Sequence, residues 1–183
     1  QRSEIMKNTQ WILLAASVAL GITWIFIIQN WIFLNGVYAV ITPPGADIRN
    51  FIQVGSSPAF TVLWAGCISA LMIWIAQTLT GRPKSSQETR RLGPMWWIAF
   101  TLLVIFGWLC LSWFMVFTWT ITSTAPYEGA GVNYFPMPAG GWFVMAAFIF
   151  IDVILLFWVP TLLASPRTYR FVVPFAVKFL GSR

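Results

Sequence analysis

Four long apolar stretches, separated by shorter polar ones, dominate the pattern along this chain. The first runs from Trp11 to Leu34 and is interrupted only by Gln29 and Asn30. The second covers Pro58 to Thr80, the third Pro94 to Thr122 and the fourth Gly141 to Ala164. Each reaches or exceeds the roughly 20 residues that a helix needs to cross hydrocarbon. The pattern predicts an all-α integral membrane protein, with four transmembrane helices in an up-down bundle. It predicts a single transmembrane domain over residues 1–183, ending in a basic tail at 165–183. Proline opens the second and third stretches, as suits a first helical position. The third is longer than a perpendicular helix needs, which implies tilt or an extension beyond the hydrocarbon. Pro160, near the end of the fourth, predicts a kink. The first stretch is too long for the core of a signal peptide and is read as a retained span.

The connections are less regular. Gly36 to Ser57 carries the turn signal Pro43-Pro44-Gly45, and Ala46 to Gly55 has the length of a short surface helix. Arg82 to Gly93 is polar and basic. Ser123 to Gly140 is rich in Gly and Pro and carries Tyr127, Tyr134 and Phe135. It suits either a cap on the bundle or contact with a partner on the outer side. In the tail, Phe171, Val172, Phe175, Val177 and Phe179 alternate loosely with Arg167, Arg170 and Lys178. That mixture predicts a segment lying on anionic lipid, with a loosely ordered tail as the alternative.

Composition reinforces the membrane reading. The chain is 58% hydrophobic and 9% charged, whereas soluble domains are nearer half apolar and a quarter charged. The net charge of +6 is unevenly placed. Arg2 and Lys7 precede the first stretch. Arg82, Lys84, Arg90 and Arg91 lie between the second and third, and Arg167, Arg170, Lys178 and Arg183 follow the fourth. The two remaining connections hold only Arg49. Cationic excess marks cytoplasmic segments, so both ends of the chain and the middle connection are expected inside. Arg82, Lys84, Arg90, Arg91, Arg167, Arg170 and Lys178 are then the expected lipid-headgroup contacts. No basic run interleaves with aromatics, so nucleic acid is not an expected partner. The absence of any N-x-S/T site is compatible with a bacterial cytoplasmic (inner) membrane.

Of the 12 tryptophans, Trp11, Trp31, Trp96, Trp97, Trp119, Trp142 and Trp158 lie near stretch ends, as in an aromatic belt. Trp24, Trp64, Trp74, Trp108 and Trp113 lie deeper and are expected to pack among helices. The small pairs Ser17/Gly21 and Gly66/Ala70 would let helices approach closely.

Asp152 is the residue best placed for a chemical role. It is the only Asp, Glu, Lys or Arg within a stretch, and it sits mid-way along the fourth. A charge at that depth costs on the order of 3 kcal/mol or more. Its helical neighbours Phe148, Ile149, Leu155 and Leu156 are apolar, so polar contact must come from elsewhere. Ser69, Gln77 and Ser112 are the candidates within the chain. Three roles compete for Asp152: a hydrogen bond between helices, docking against a partner protein, and a proton or cation site.

Catalytic sets are missing from the sequence. There is no histidine, and Cys67 and Cys110 are not paired by spacing. The carboxylates Glu4, Asp47, Glu88, Glu128 and Asp152 are spread along the chain, so neither a general acid/base pair nor a metal cluster is expected. No cofactor is implied, and no internal repeat of the transporter kind is visible. The expected function is therefore non-catalytic: an accessory, scaffold or assembly subunit of a larger membrane complex. A small proton- or cation-coupled transporter or channel using Asp152 is the first alternative. An immunity- or exclusion-type protective membrane protein is the second.

Overall fold

The computed structural model describes residues 2–41, 49, 52, 57–80, 92–122, 139–166 and 169–180. All described regular structure is helical. Four helices are long and apolar enough to cross a membrane: Asn8–Ile41, Ser57–Thr80, Gly93–Phe114 and Gly140–Ala164. The third helix itself continues to Thr122. The middle-connection cations Arg82, Lys84, Arg90 and Arg91, together with Arg167, lie outside the described residues. So do the Pro43-Pro44-Gly45 turn, the loop 123–138, and the surface helix expected at Ala46 to Gly55 apart from Arg49 and Ile52.

The first helix outruns its apolar stretch. It continues through Asn35 and Gly36 to Ile41, where the sequence suggested a connection from Gly36. The two asparagines do not break it, because each bonds its own helix. The Asn30 amide donates to the Phe26 carbonyl at 3.3 Å, and the Asn35 amide donates to that of Trp31 at 2.9 Å. Such back-bonding lets a polar side chain remain in an apolar helix.

Two kinds of helix are present. The second and third are α-helical throughout. The buried row of the second, Phe60, Leu63, Cys67, Leu71, Trp74 and Thr78, advances by threes and fours. That is the stripe of a regular α-helix. The first and fourth instead bury rows in strict steps of four: Ser17, Gly21, Ile25, Gln29 and Phe33 in one, Met145, Ile149, Val153, Phe157 and Thr161 in the other. In an α-helix each step of four overshoots a full turn by about 40°, so such a row would wander off the core. Both helices contain π-helical segments, at Thr23–Gln29 and Phe33–Val37 in the first and Ile154–Trp158 in the fourth. A π turn takes up an extra residue and winds the row back onto the buried face. In the fourth helix the Val159 N–H donates to the carbonyl of Ile154, five residues back. Pro160 has no N–H to give, and its ring crowds the carbonyl four residues earlier. The kink signal at Pro160 thus resolves into a widened turn ahead of it.

The chain forms two compact units, and each helix contributes a segment to both. One unit comprises Gln1–Gly21, Trp64–Val104 and Asp152–Arg183. Its interior includes Leu71, Ile75 and Ala164, with Leu13, Leu14 and Leu79 packed against them. Gly21 is buried under Trp64, whose indole lies where a Cβ would project, with Leu156 beside it. Gly21 therefore does the work expected of a small residue at a helix contact. The other unit comprises Ile22–Leu63 and Ile105–Ile151. It centres on Phe33, which meets Phe148 edge-on at 4.8 Å and Phe60 at 5.8 Å. Gly107 lets Ile149 and Leu63 approach: a Cβ there would stand 2.8 and 2.9 Å from their methyl groups.

Candidate functional site

Among the described residues, and apart from Ser17, whose hydroxyl donates to the Leu13 carbonyl of its own helix at 2.8 Å, the buried polar side chains fall into three places. The richest is in the first unit, around the end of the fourth helix. Gln10 of the first helix donates from Nε2 to the Ala164 carbonyl at 3.0 Å and to Thr78 Oγ1 at 3.4 Å. Trp74 Nε1 of the second helix donates to Ser165 Oγ at 3.0 Å. Trp96 Nε1 of the third helix donates to Thr161 Oγ1 at 3.1 Å. Thr161 Oγ1 in turn donates to the Trp158 carbonyl at 2.9 Å, and Ser165 Oγ to the Thr161 carbonyl at 2.5 Å. Every helix thus sends a side chain to the same few residues, 158–165. Around Trp96, Phe100 and Phe157 stack at 5.4 and 5.6 Å.

This clasp was only partly legible. Trp96 reads in sequence as a belt residue like its neighbour Trp97. In the structure Trp97 is exposed, but Trp96 is fully buried. The adjacent pair splits because consecutive helical residues point about 100° apart, and Thr161 offers the buried indole an acceptor. The deep tryptophans also divide: Trp74 is buried, while Trp113 is exposed.

Asp152 is the second place. It has no exposed surface and lies just ahead of the π segment, on the last residues of the α-helical part of the fourth helix. Cys67 lies within electrostatic reach of it. Ser69 and Gln77 both lie on the exposed side of the second helix. The Ser69 hydroxyl donates to the Ala65 carbonyl of its own helix at 2.8 Å. Ser112 is half-buried and belongs to the other unit. Among the described residues, no three His, Cys, Asp or Glu side chains come together as metal ligands do.

Gln29 is the third place, and sequence alone treated it as a mere interruption. It closes the first π segment and is 1% exposed, and neither its amide oxygen nor its amide nitrogen has a hydrogen-bond partner among the described residues. Leaving such a group unsatisfied costs roughly 1–3 kcal/mol. Gln29→Leu is accordingly expected to stabilise the protein by about 1 kcal/mol, read as a raised midpoint of unfolding in mild detergent. A lowered midpoint would mean that the amide has a partner in the membrane, such as an ordered water.

Comparison with protein-family models, curated proteins and solved structures gives no match.

Proposed function

We propose that this chain is a non-catalytic accessory, scaffold or assembly subunit of a larger membrane complex, in a bacterial cytoplasmic membrane with both ends of the chain inside. The carrying observation is an asymmetry of burial. In their most apolar windows the second and fourth helices are each 39% buried, against 17% for the first and 22% for the third. The first and third helices therefore offer broad open faces, with Ile27, Trp31, Ile98, Leu102, Leu109 and Trp113 all exposed. In a bilayer such faces meet either lipid or a neighbouring protein, and the subunit reading assigns them to a protein. The polar side chains of the clasp, by contrast, are spent on joining the chain's own helices. The up-down arrangement fits the contacts of the first unit, where Gln10 meets Ala164 and Gly21 meets Leu156. The cation distribution supports the orientation.

A photoreactive phenylalanine analogue placed at Ile27 or Leu109 tests this in native membranes. The expected product is an adduct heavier than the 20.7 kDa chain by the mass of a different protein. Adducts with lipid alone at both positions would contradict it.

The transporter reading has one observation in its favour, the complete burial of Asp152. Intramembrane carboxylates commonly mark ion paths. Loss of ion flux in Asp152→Asn would support it.

A further inference from the structure

The segment after the fourth helix does not lead away from the bundle. Trp158 Nε1 donates to the Pro174 carbonyl at 3.1 Å, and the Trp158 ring meets that of Phe175 at 6.1 Å. Tyr169 meets Trp74 edge-on at 6.3 Å. Trp158 and Trp74 each stand six residues inside the ends of their helices, at Ala164 and Thr80. At the α-helical rise that is about 9 Å back from those ends. Residues 169–175 therefore double back beside the membrane-crossing helices.

Chain at that depth must satisfy its own backbone, and four of this segment's N–H groups do so within it. The Tyr169 N–H donates to the Pro166 carbonyl, that of Val172 to Tyr169, that of Ala176 to Val173 and that of Phe179 to Phe175, at 2.9 to 3.2 Å. Its two sides differ. Tyr169, Val172, Val173 and Ala176 are buried, whereas Phe171, Phe175 and Phe179 are exposed in steps of four. Phe175 holds a positive φ of 63°, which is rare for a bulky side chain. The Trp158 contacts with Pro174 and Phe175 brace it there. Lys178 is exposed beside the phenylalanines, and Arg170 lies in the same segment.

We propose that residues 169–179 form a membrane-inserted clamp that sinks Phe171, Phe175 and Phe179 into the headgroup–acyl boundary of an anionic leaflet. Lys178, which is exposed, then lies at phosphate level. Amphipathic segments of this kind enter a bilayer by about 5–10 Å, comparable to the setback of Trp158 and Trp74 from their helix ends. The inference rests on the membrane-spanning reading of the four helices and is independent of the subunit reading.

The test uses the full chain in its own membranes, with the photoreactive phenylalanine analogue in place of Phe171, Phe175 or Phe179. These near-isosteric changes leave the buried side intact. Phospholipid adducts at all three positions are expected. Adducts with a protein, or no adduct at any of them, would overturn the proposal. Headgroup preference is read separately, by native mass spectrometry of lipids retained from nanodiscs holding phosphatidylglycerol and phosphatidylcholine. Phosphatidylglycerol should be retained preferentially, and Lys178→Gln should weaken that preference roughly fivefold. Equal retention of both lipids by the unmodified chain would overturn the anionic assignment.

Discussion

Gly21→Leu is expected to destabilise the protein by about 3 kcal/mol, the upper end for an overpacked interior. The Trp64 indole occupies the space that the new side chain needs, and Leu156 closes the other side. Neither ring nor helix can move without disturbing the first unit, because Gln10 fixes the first helix to Thr78 and Ala164 further along toward one end. Gly36 provides the control. It is exposed, and a Cβ there would have only Ile32 within ordinary contact at 3.7 Å. Gly36→Leu should therefore shift stability by no more than about 0.5 kcal/mol. Adding Trp64→Ala to Gly21→Leu should recover part of the loss, since the two changes share one volume. Unfolding in mixed micelles reads all four proteins. Equal stability of Gly21→Leu and the unmodified chain would mean that this contact contributes nothing to the fold.

The second large effect concerns Asp152. Asp152→Lys puts a longer, cationic side chain at a position with no exposed surface, and is expected to cost about 3 kcal/mol or more. The readout is the amount of protein recovered folded from the membrane fraction, which should fall severalfold. Asp152→Asn keeps shape and hydrogen-bonding capacity and should stay within about 1 kcal/mol of the parent. The pair separates two roles. If Asp152 only joins helices, Asp152→Asn folds and assembles normally. If Asp152 carries a proton or cation, Asp152→Asn folds but loses ion flux in liposomes.

Several features were legible because they depend on composition over many residues. A run of twenty apolar residues has no stable alternative to a helix in lipid, so the four helices follow from the sequence, and their limits differ from the apolar runs mainly at the two ends of the first helix, which begins at Arg2 and reaches Ile41. What sequence could not convey was which side of each helix is buried. The steps of four in the first and fourth helices fit no regular α-helical stripe. Their meaning becomes visible only with the π segments, whose one clear local signal is Pro160. Trp96 and Gln10 show the same limit from the polar side. Each lies near a span end, where a belt or headgroup role is the general expectation, and each is buried because an acceptor from the fourth helix stands opposite. Ser69 shows the converse. A hydroxyl in an apolar helix invites the reading of an interior contact, yet the carbonyl of Ala65 on its own helix satisfies it. Asp152 stood out from its residue type alone, since burial at the middle of a span is unusual for a carboxyl group.

Purification from native membranes in mild detergent, with quantitative mass spectrometry of the proteins retained, decides whether the chain is a subunit of something larger. A fixed set of other membrane proteins in stoichiometric amounts, unchanged in Asp152→Asn, is the expected outcome. Recovery of the chain alone, as a monomer or as copies of itself, would contradict the subunit assignment.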